Sequence, residues 1–269
     1  MPVAFEGSTP VLINHSGKVV VVSGGGRGIG RTIVDRFVAE DATVVALDIA
    51  FPDVESDLDA DSLSHDQIQC DVSDPASVSA AVRQIVDQHE RIDVLINNAG
   101  INVPGQVADL EWEGFRKCLE INVGGVFLLS RAVIPIMKQQ RSGRIINAAS
   151  FAAIVPSIGS AAYAASKAAV VQFTRVLAGE LGPWNVTVNA YAPGMVPTAM
   201  NGFAEMPEEA QNRLLDTLSL RRWESADDVA DLLIFLAGDA AGYITGTLVD
   251  VSGGKLATQI PAKAYDNLD

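Results

Sequence analysis

Three side chains open the chemical reading of this sequence: Ser150, then Tyr163, then Lys167 in the run Tyr163-Ala164-Ala165-Ser166-Lys167. Residues four apart on a helix stand one above the other on the same face, so the spacing predicts the Lys167 ammonium beside the Tyr163 phenol. A free phenol, with a pKa of about 10, is a poor base at neutral pH. A unit charge about 4 Å away, at an effective dielectric of about 20, is worth roughly 4 kcal/mol, or about three pK units. One lysine would then bring the tyrosine into working range as a general acid/base. The same spacing arises by chance in many helices, so its meaning depends on what surrounds it.

A second group of residues is suited to holding an anion. Ser23-Gly24-Gly25-Gly26-Arg27-Gly28-Ile29-Gly30 follows an apolar run and opens a helical pattern. In that position glycines let the backbone approach a pyrophosphate, and the helix N-terminus offers it unpaired N–H groups and a positive dipole end. Asp48 closes the next apolar run, about twenty residues beyond the loop, where a carboxylate accepts both ribose hydroxyls of NAD and repels a 2′-phosphate. Ile49, taken with it as a cofactor-binding residue, and Ala50 and Phe51 add no cation for NADP. Arg27 is the one cation placed to hold that phosphate. NAD is therefore the expected cofactor and NADP the less favoured one.

The elements that must position these groups follow from periodicity. Val19 to Val22, Thr43 to Leu47, Val94 to Ile96, Ile145 to Ala148 and Val186 to Tyr191 read as buried strands. Helical patterns fill the gaps, as in the stripe of Ile29, Ile33 and Phe37 with Val34 and Val38 beside it. This βαβα rhythm implies an α/β fold, a doubly wound parallel sheet of about seven strands with helices on both faces. No linker or repeat divides the chain, so residues 1–269 are read as one dinucleotide-binding and catalytic domain. Within it 1–17 is an irregular lead-in, 195–218 an insertion forming a substrate loop, and 255–269 a tail.

Composition narrows the function classes. The 269 residues include 33 Asp plus Glu against 19 Lys plus Arg, a net charge of −14, which repels nucleic acid and anionic lipid surfaces. Cys70 and Cys118 make no CxxC or CxxH pattern, which gives no metal site and suits a reducing compartment. The N-terminus lacks the basic and apolar regions of a secretory signal. The uncharged stretch 145–166 is interrupted by Asn147, Pro156, Ser157 and Gly159, so no membrane span is expected there. A soluble, cytoplasmic protein is the expectation.

Taken in order, SGGGRGIG, Asp71-Val72, Asn97-Asn98-Ala99-Gly100, Asn122, Ser150, Tyr163-x-x-x-Lys167 and Pro193-Gly194 closely resemble the motifs of the short-chain dehydrogenase/reductase family, from about Lys18 to Gly254. The spacing of Gly24, Gly28 and Gly30 looks like its compact members. The resemblance implies a Rossmann-like fold, a homotetramer and a catalytic set of Asn122, Ser150, Tyr163 and Lys167. In that set Tyr163 is the acid/base and Ser150 donates a hydrogen bond to the substrate oxygen. Lys167 binds the nicotinamide ribose, and Asn122 fixes a water joining Lys167 to solvent. Asp71 and Val72 would lie along the adenine, while Asn98, Ala99 and Gly100 support its ribose. Pro193, Gly194, Val196 and Thr198 would wrap the nicotinamide. Ser23 replaces a more usual threonine and keeps the hydroxyl.

The reaction so implied is hydride transfer between a small secondary alcohol, or its ketone, and the nicotinamide. Ala152, Ile158, Met195 and Met200, with Ser150 and Tyr163, are the expected substrate contacts, joined by Asn102, Phe151, Ile154, Phe203 and Met206 in an apolar wall. No Arg or Lys stands in that loop before Arg213, which disfavours a strongly anionic substrate. A sugar, polyol or similar hydroxy compound is the first expectation. The alternatives are a ketone reductase like those acting on 3-oxoacyl groups of acyl carrier protein, and a non-catalytic NAD-binding sensor.

Overall fold

Both faces of the central strands are buried, and this dictates the layering. In β1 (Val19–Ser23), Val19 and Val21 join the core on one side of the sheet and Val20 and Val22 the core on the other. Side chains alternate along a strand, so a continuous valine run suits a sheet covered on both sides. The computed structural model describes residues 13–51, 65–198 and 201–266. Within them β1, β2 (Thr43–Asp48), β3 (Asp66–Gln69), β4 (Val94–Asn97), β5 (Gly143–Ala148), β6 (Val186–Pro193) and β7 (Leu248–Val251) form one parallel sheet. Its order is β3-β2-β1-β4-β5-β6-β7.

Helices α1 (Gly28–Ala39) and α7 (Ala226–Ala237) cover one face. The other is covered by α2 (Pro75–His89), α4 (Gly125–Gln140) and α5 (Ala161–Leu181). The chain runs outward from β1 through β2 to β3, then returns to β4 and builds in the opposite direction. A crevice therefore opens between β1 and β4 at the carboxyl ends of the strands. Register lines up those ends, since Ser23 pairs with Asn97 and Asn97 with Asn147. The loops that follow all emerge on one side.

Two strands fall outside the apolar runs read from the sequence. The outer strand β3 reads DQIQ with only Ile68 buried, and β7 is only partly covered. Helix α3 (Trp112–Leu119) runs into α4 through a π turn, Glu120–Gly124. By length and composition Trp112–Gln140 could cross a membrane, with mean hydropathy 1.5. Here Leu129, Val133 and Met137 join the core on one face of the sheet, and a third of the apolar stretch is buried. After β6 the chain forms α6 (Glu208–Leu215) and returns to α7.

Candidate active site

The end of β5 and the start of α5 bring Ser150, Tyr163 and Lys167 together. Ser150 is buried and caps a short 3-10 turn, Phe151–Ala153, its Oγ accepting from the Ala152 N–H at 3.2 Å. Lys167 lies one turn beyond Tyr163 on α5, almost fully buried, and donates to the Ala148 carbonyl at 2.8 Å. Its Nζ is 5.6 Å from the centre of the Tyr163 ring. Asn122, buried in the π turn, accepts from Ile101 N–H at 2.8 Å and donates to Ile101 C=O at 2.9 Å and Ser166 Oγ at 2.9 Å. Ser166 in turn donates to the Tyr163 carbonyl, so the π turn grips the first turn of α5.

The electrostatics correct the expectation drawn from spacing. Burial pushes the Tyr163 phenol above its ordinary value, while a hydrogen bond from Ser150 acts in the opposite direction. Burial also brings the Lys167 ammonium down to about 8. The lysine points at a backbone carbonyl and both groups are desolvated, so four-residue spacing does not by itself ionise the tyrosine. Cys118 lies against Asn122, and burial raises its thiol pKa.

The glycine loop is shaped for close backbone approach. A Cβ on Gly30 would stand 1.9 Å from the Gly24 carbonyl, and Gly24 itself adopts φ +66°. Ser23 Oγ accepts from Asn98 and Ala99 N–H, and Asn98 Nδ2 donates back to the Ser23 and Gly24 carbonyls. The loops after β1 and β4 thus brace each other, with Gly100 next to Asn122 and Lys167. Helix α1 begins at Arg27 with no side-chain cap and no acid in its first turn, whereas Asp74 and Ser225 cap α2 and α7. Its free N–H groups and dipole suit an anion.

Asp48 is buried at the end of β2, Oδ2 accepting from Gly26 N–H at 2.9 Å; its neighbour Ile49 is exposed, as are Arg27 and Gly28. Asp71 holds its own turn through Ser73, and Val72 is buried. A cleft of about 410 Å³ runs from Gly28, Ile29 and Thr32 to Val196, Pro197 and Thr198, closed by Trp223–Ala226. An uncapped helix, a glycine cradle and a carboxylate beside it fit a dinucleotide. Trp223 and Glu224 were not singled out in the sequence, because their loop carries no motif. Glu224 is buried, accepts the Gly194 N–H, and is raised by burial to about 8.

On the substrate side Ala152 and Met195 are buried, while Ile158 is fully exposed on its loop and forms no enclosed wall. Met200 lies outside the described residues. A missed contributor comes from the tail: Lys255 Nζ lies 5.8 Å from the Phe151 ring centre. The loop itself holds no Arg or Lys before Arg213, so this cation reaches Phe151 from outside it. The tail folds on its own chain. Pro261 is buried, Tyr265 OH donates to the Ser219 carbonyl at 2.7 Å, and Arg221 lies over the Tyr265 ring.

Comparison with known proteins bears on this site. A family profile described as short chain dehydrogenase matches residues 18–209. A 3-oxoacyl-acyl-carrier-protein reductase, FabG, of Thermotoga maritima is 36% identical over 241 residues, covering 88% of this chain and 97% of the relative. A 3alpha-hydroxysteroid dehydrogenase of Mediterraneibacter gnavus is 35% identical over 241 residues, covering 88% and 96%. Among solved structures, a short-chain dehydrogenase/reductase from Burkholderia xenovorans superimposes with a TM-score of 0.85 at 34% identity, over 91% of this chain and 98% of that one.

Proposed function

The chain belongs to the short-chain dehydrogenase family, and from that premise we propose that it moves a hydride between a nicotinamide dinucleotide and the carbon of a secondary alcohol or its ketone. One observation carries this reading. Ser150, Tyr163 and Lys167 meet at the same sheet edge as an uncapped α1 N-terminus and a glycine cradle. When bound, the nicotinamide supplies the hydride acceptor or donor. In reduction the Tyr163 phenol gives its proton to the forming alkoxide, and in the reverse direction the resulting phenolate takes the hydroxyl proton, while Ser150 holds the substrate oxygen and Lys167 the ribose. Burial of the phenol keeps it protonated until proton demand arises, which suits a donor to a developing alkoxide.

NAD is favoured over NADP on the strength of Asp48, whose buried carboxylate beside Gly26 disfavours a 2′-phosphate. On substrate, the similarity to a 3-oxoacyl reductase supports the 3-oxo compound ahead of the sugar or polyol. A homotetramer is part of the reading, with exposed Phe127 and Val176 on the outer faces of α4 and α5 as apolar contact. Both cysteines are free and buried, in keeping with a reducing compartment. Tyr163→Phe is expected to lower kcat on a 3-oxo ester or alcohol substrate by roughly 10³-fold or more, with NADH bound as before and more tightly than NADPH. Retained turnover would sink the assignment of Tyr163, and equal affinity for NADPH that of Asp48.

A further inference from the structure

Lys255 is the one described half-buried ammonium that reaches the substrate end of the site from a turn fixed on three sides. Gly253 and Gly254, at φ +65° and +83°, swing the chain off β7, and a Cβ on Gly254 would meet Ser219 at 2.6 Å. Lys255 N–H then donates to Ser252 Oγ at 3.2 Å. Ser252 itself packs on Gly194, where an added Cβ would stand 2.8 Å from the serine Cα. The ammonium donates to Thr217 Oγ1, just beyond α6, and lies 5.8 Å from the ring centre of Phe151, the residue after Ser150. Thr217, within the 195–218 loop, and the residue after Ser150 thus meet at this side chain, while Ser252, packed on Gly194, fixes its backbone.

Its charge is uncompensated. Among the described residues no carboxylate pairs with Lys255, although the chain carries 33 acids and pairs Arg31, Arg36, Arg91, Arg116, Arg213, Arg221 and Arg222. Burial alone sets the direction of its shift, downward. Thr217 supplies one acceptor and Phe151 a ring face, yet an ammonium has three donors, and neither neighbour cancels its charge. A partly desolvated cation is stabilised when an anion is brought to it.

Building on the proposed hydride-transfer reading, we propose that Lys255 recognises a carboxylate carried a few carbons from the reacting carbinol, making the substrate a free hydroxy acid or oxo acid. A neutral thioester or ester of the same skeleton lacks the charge that Lys255 would meet. The chain's net charge of −14 repels anions in general, so discrimination rests on this local cation.

The test titrates the full-length protein saturated with NADH, by calorimetry and by turnover. The ligands are acetoacetate, methyl acetoacetate and the N-acetylcysteamine thioester of acetoacetate, with 5-ketogluconate against fructose as a second series. In at least one series the acid is expected to bind roughly tenfold or more tightly than its neutral counterparts, the increment of a charge-assisted hydrogen bond. Lys255→Met and Lys255→Gln should cut the acid-to-neutral ratio by roughly 10- to 100-fold, and Lys255→Arg should keep most of it and serve as the folding control. Preference for the neutral ligands in both series, or an unchanged ratio in the variants, overturns the proposal. Turnover by the protein with Tyr163 intact separates the two readings. Acid binding that depends on Lys255 without any cofactor-dependent turnover would sink hydride transfer alone, and turnover with no acid preference would sink Lys255 alone.

Discussion

At the scale of single residues the site is governed by burial more than by pairing. Tyr163 and Lys167 are both desolvated, and each is shifted toward its neutral form. Glu224 shows the same physics with a measurable consequence. In the unfolded chain it ionises near 4.5, and in the folded protein burial holds its proton until about 8. Below 4.5 both states are protonated and the group has no effect on stability. Between those values the unfolded state alone loses the proton, so stability falls as pH rises, and the penalty is complete above about 8. Glu224→Gln keeps an acceptor for Gly194 N–H and removes the titration. The thermal midpoint of the variant should equal wild type near pH 4.5 and exceed it by a margin that grows toward pH 8. A margin independent of pH would show that Glu224 does not titrate in this way. The position of Asp48 beside the glycine loop was legible in the sequence because a strand end after such a loop is a fixed address. Glu224 and Lys255 were not, because their placement depends on long-range packing that no local spacing encodes.

At the scale of elements, strand ends carry the site and one irregular turn locks it. The valine runs and the glycine loop made β1, β2, β4, β5 and β6 legible, since both faces of these strands are buried. The edge strand β3 escaped notice because solvent covers most of it. The π turn Glu120–Gly124 escaped notice because its residues fit an ordinary helix equally well and a π turn has no local signature. Its purpose is visible in Asn122, which bonds both the N–H and C=O of Ile101 and also Ser166 under Tyr163. Removing that amide strands several buried polar groups at once. Asn122→Ala is expected to cost roughly 2–4 kcal/mol, read as a lower urea midpoint, and to reduce kcat by loosening the first turn of α5. Asn122→Asp keeps the acceptor for Ile101 N–H but loses both donations, and should recover only part of the stability. Full stability in the alanine variant would mean that the π turn is held by backbone and packing alone.

At the scale of the whole molecule, a sheet built outward from β1 opens a crevice at its centre, and the segment after β7 packs back on the residues that follow α6. Pro261 is buried, Tyr265 bonds Ser219, and Ser219 abuts the Gly254 turn from which Lys255 extends. Ending the chain after Gln259 keeps Lys255 and removes its support. If the tail acts through Lys255, this truncation should raise KM for an acid substrate several-fold, leave KM for the neutral counterpart nearly unchanged, and lower the thermal midpoint by a few degrees, with the oligomer intact by light scattering. A truncated protein that dissociates would instead show that the tail serves a neighbouring subunit. Unchanged KM with unchanged assembly would mean that the Gly253-Gly254 turn alone holds the lysine. The distinction is physical: a half-buried ammonium held by two glycines in left-handed conformations has little to resist its relaxation into water, whereas one clamped by Ser219 and the packed tail meets its ligand already in place.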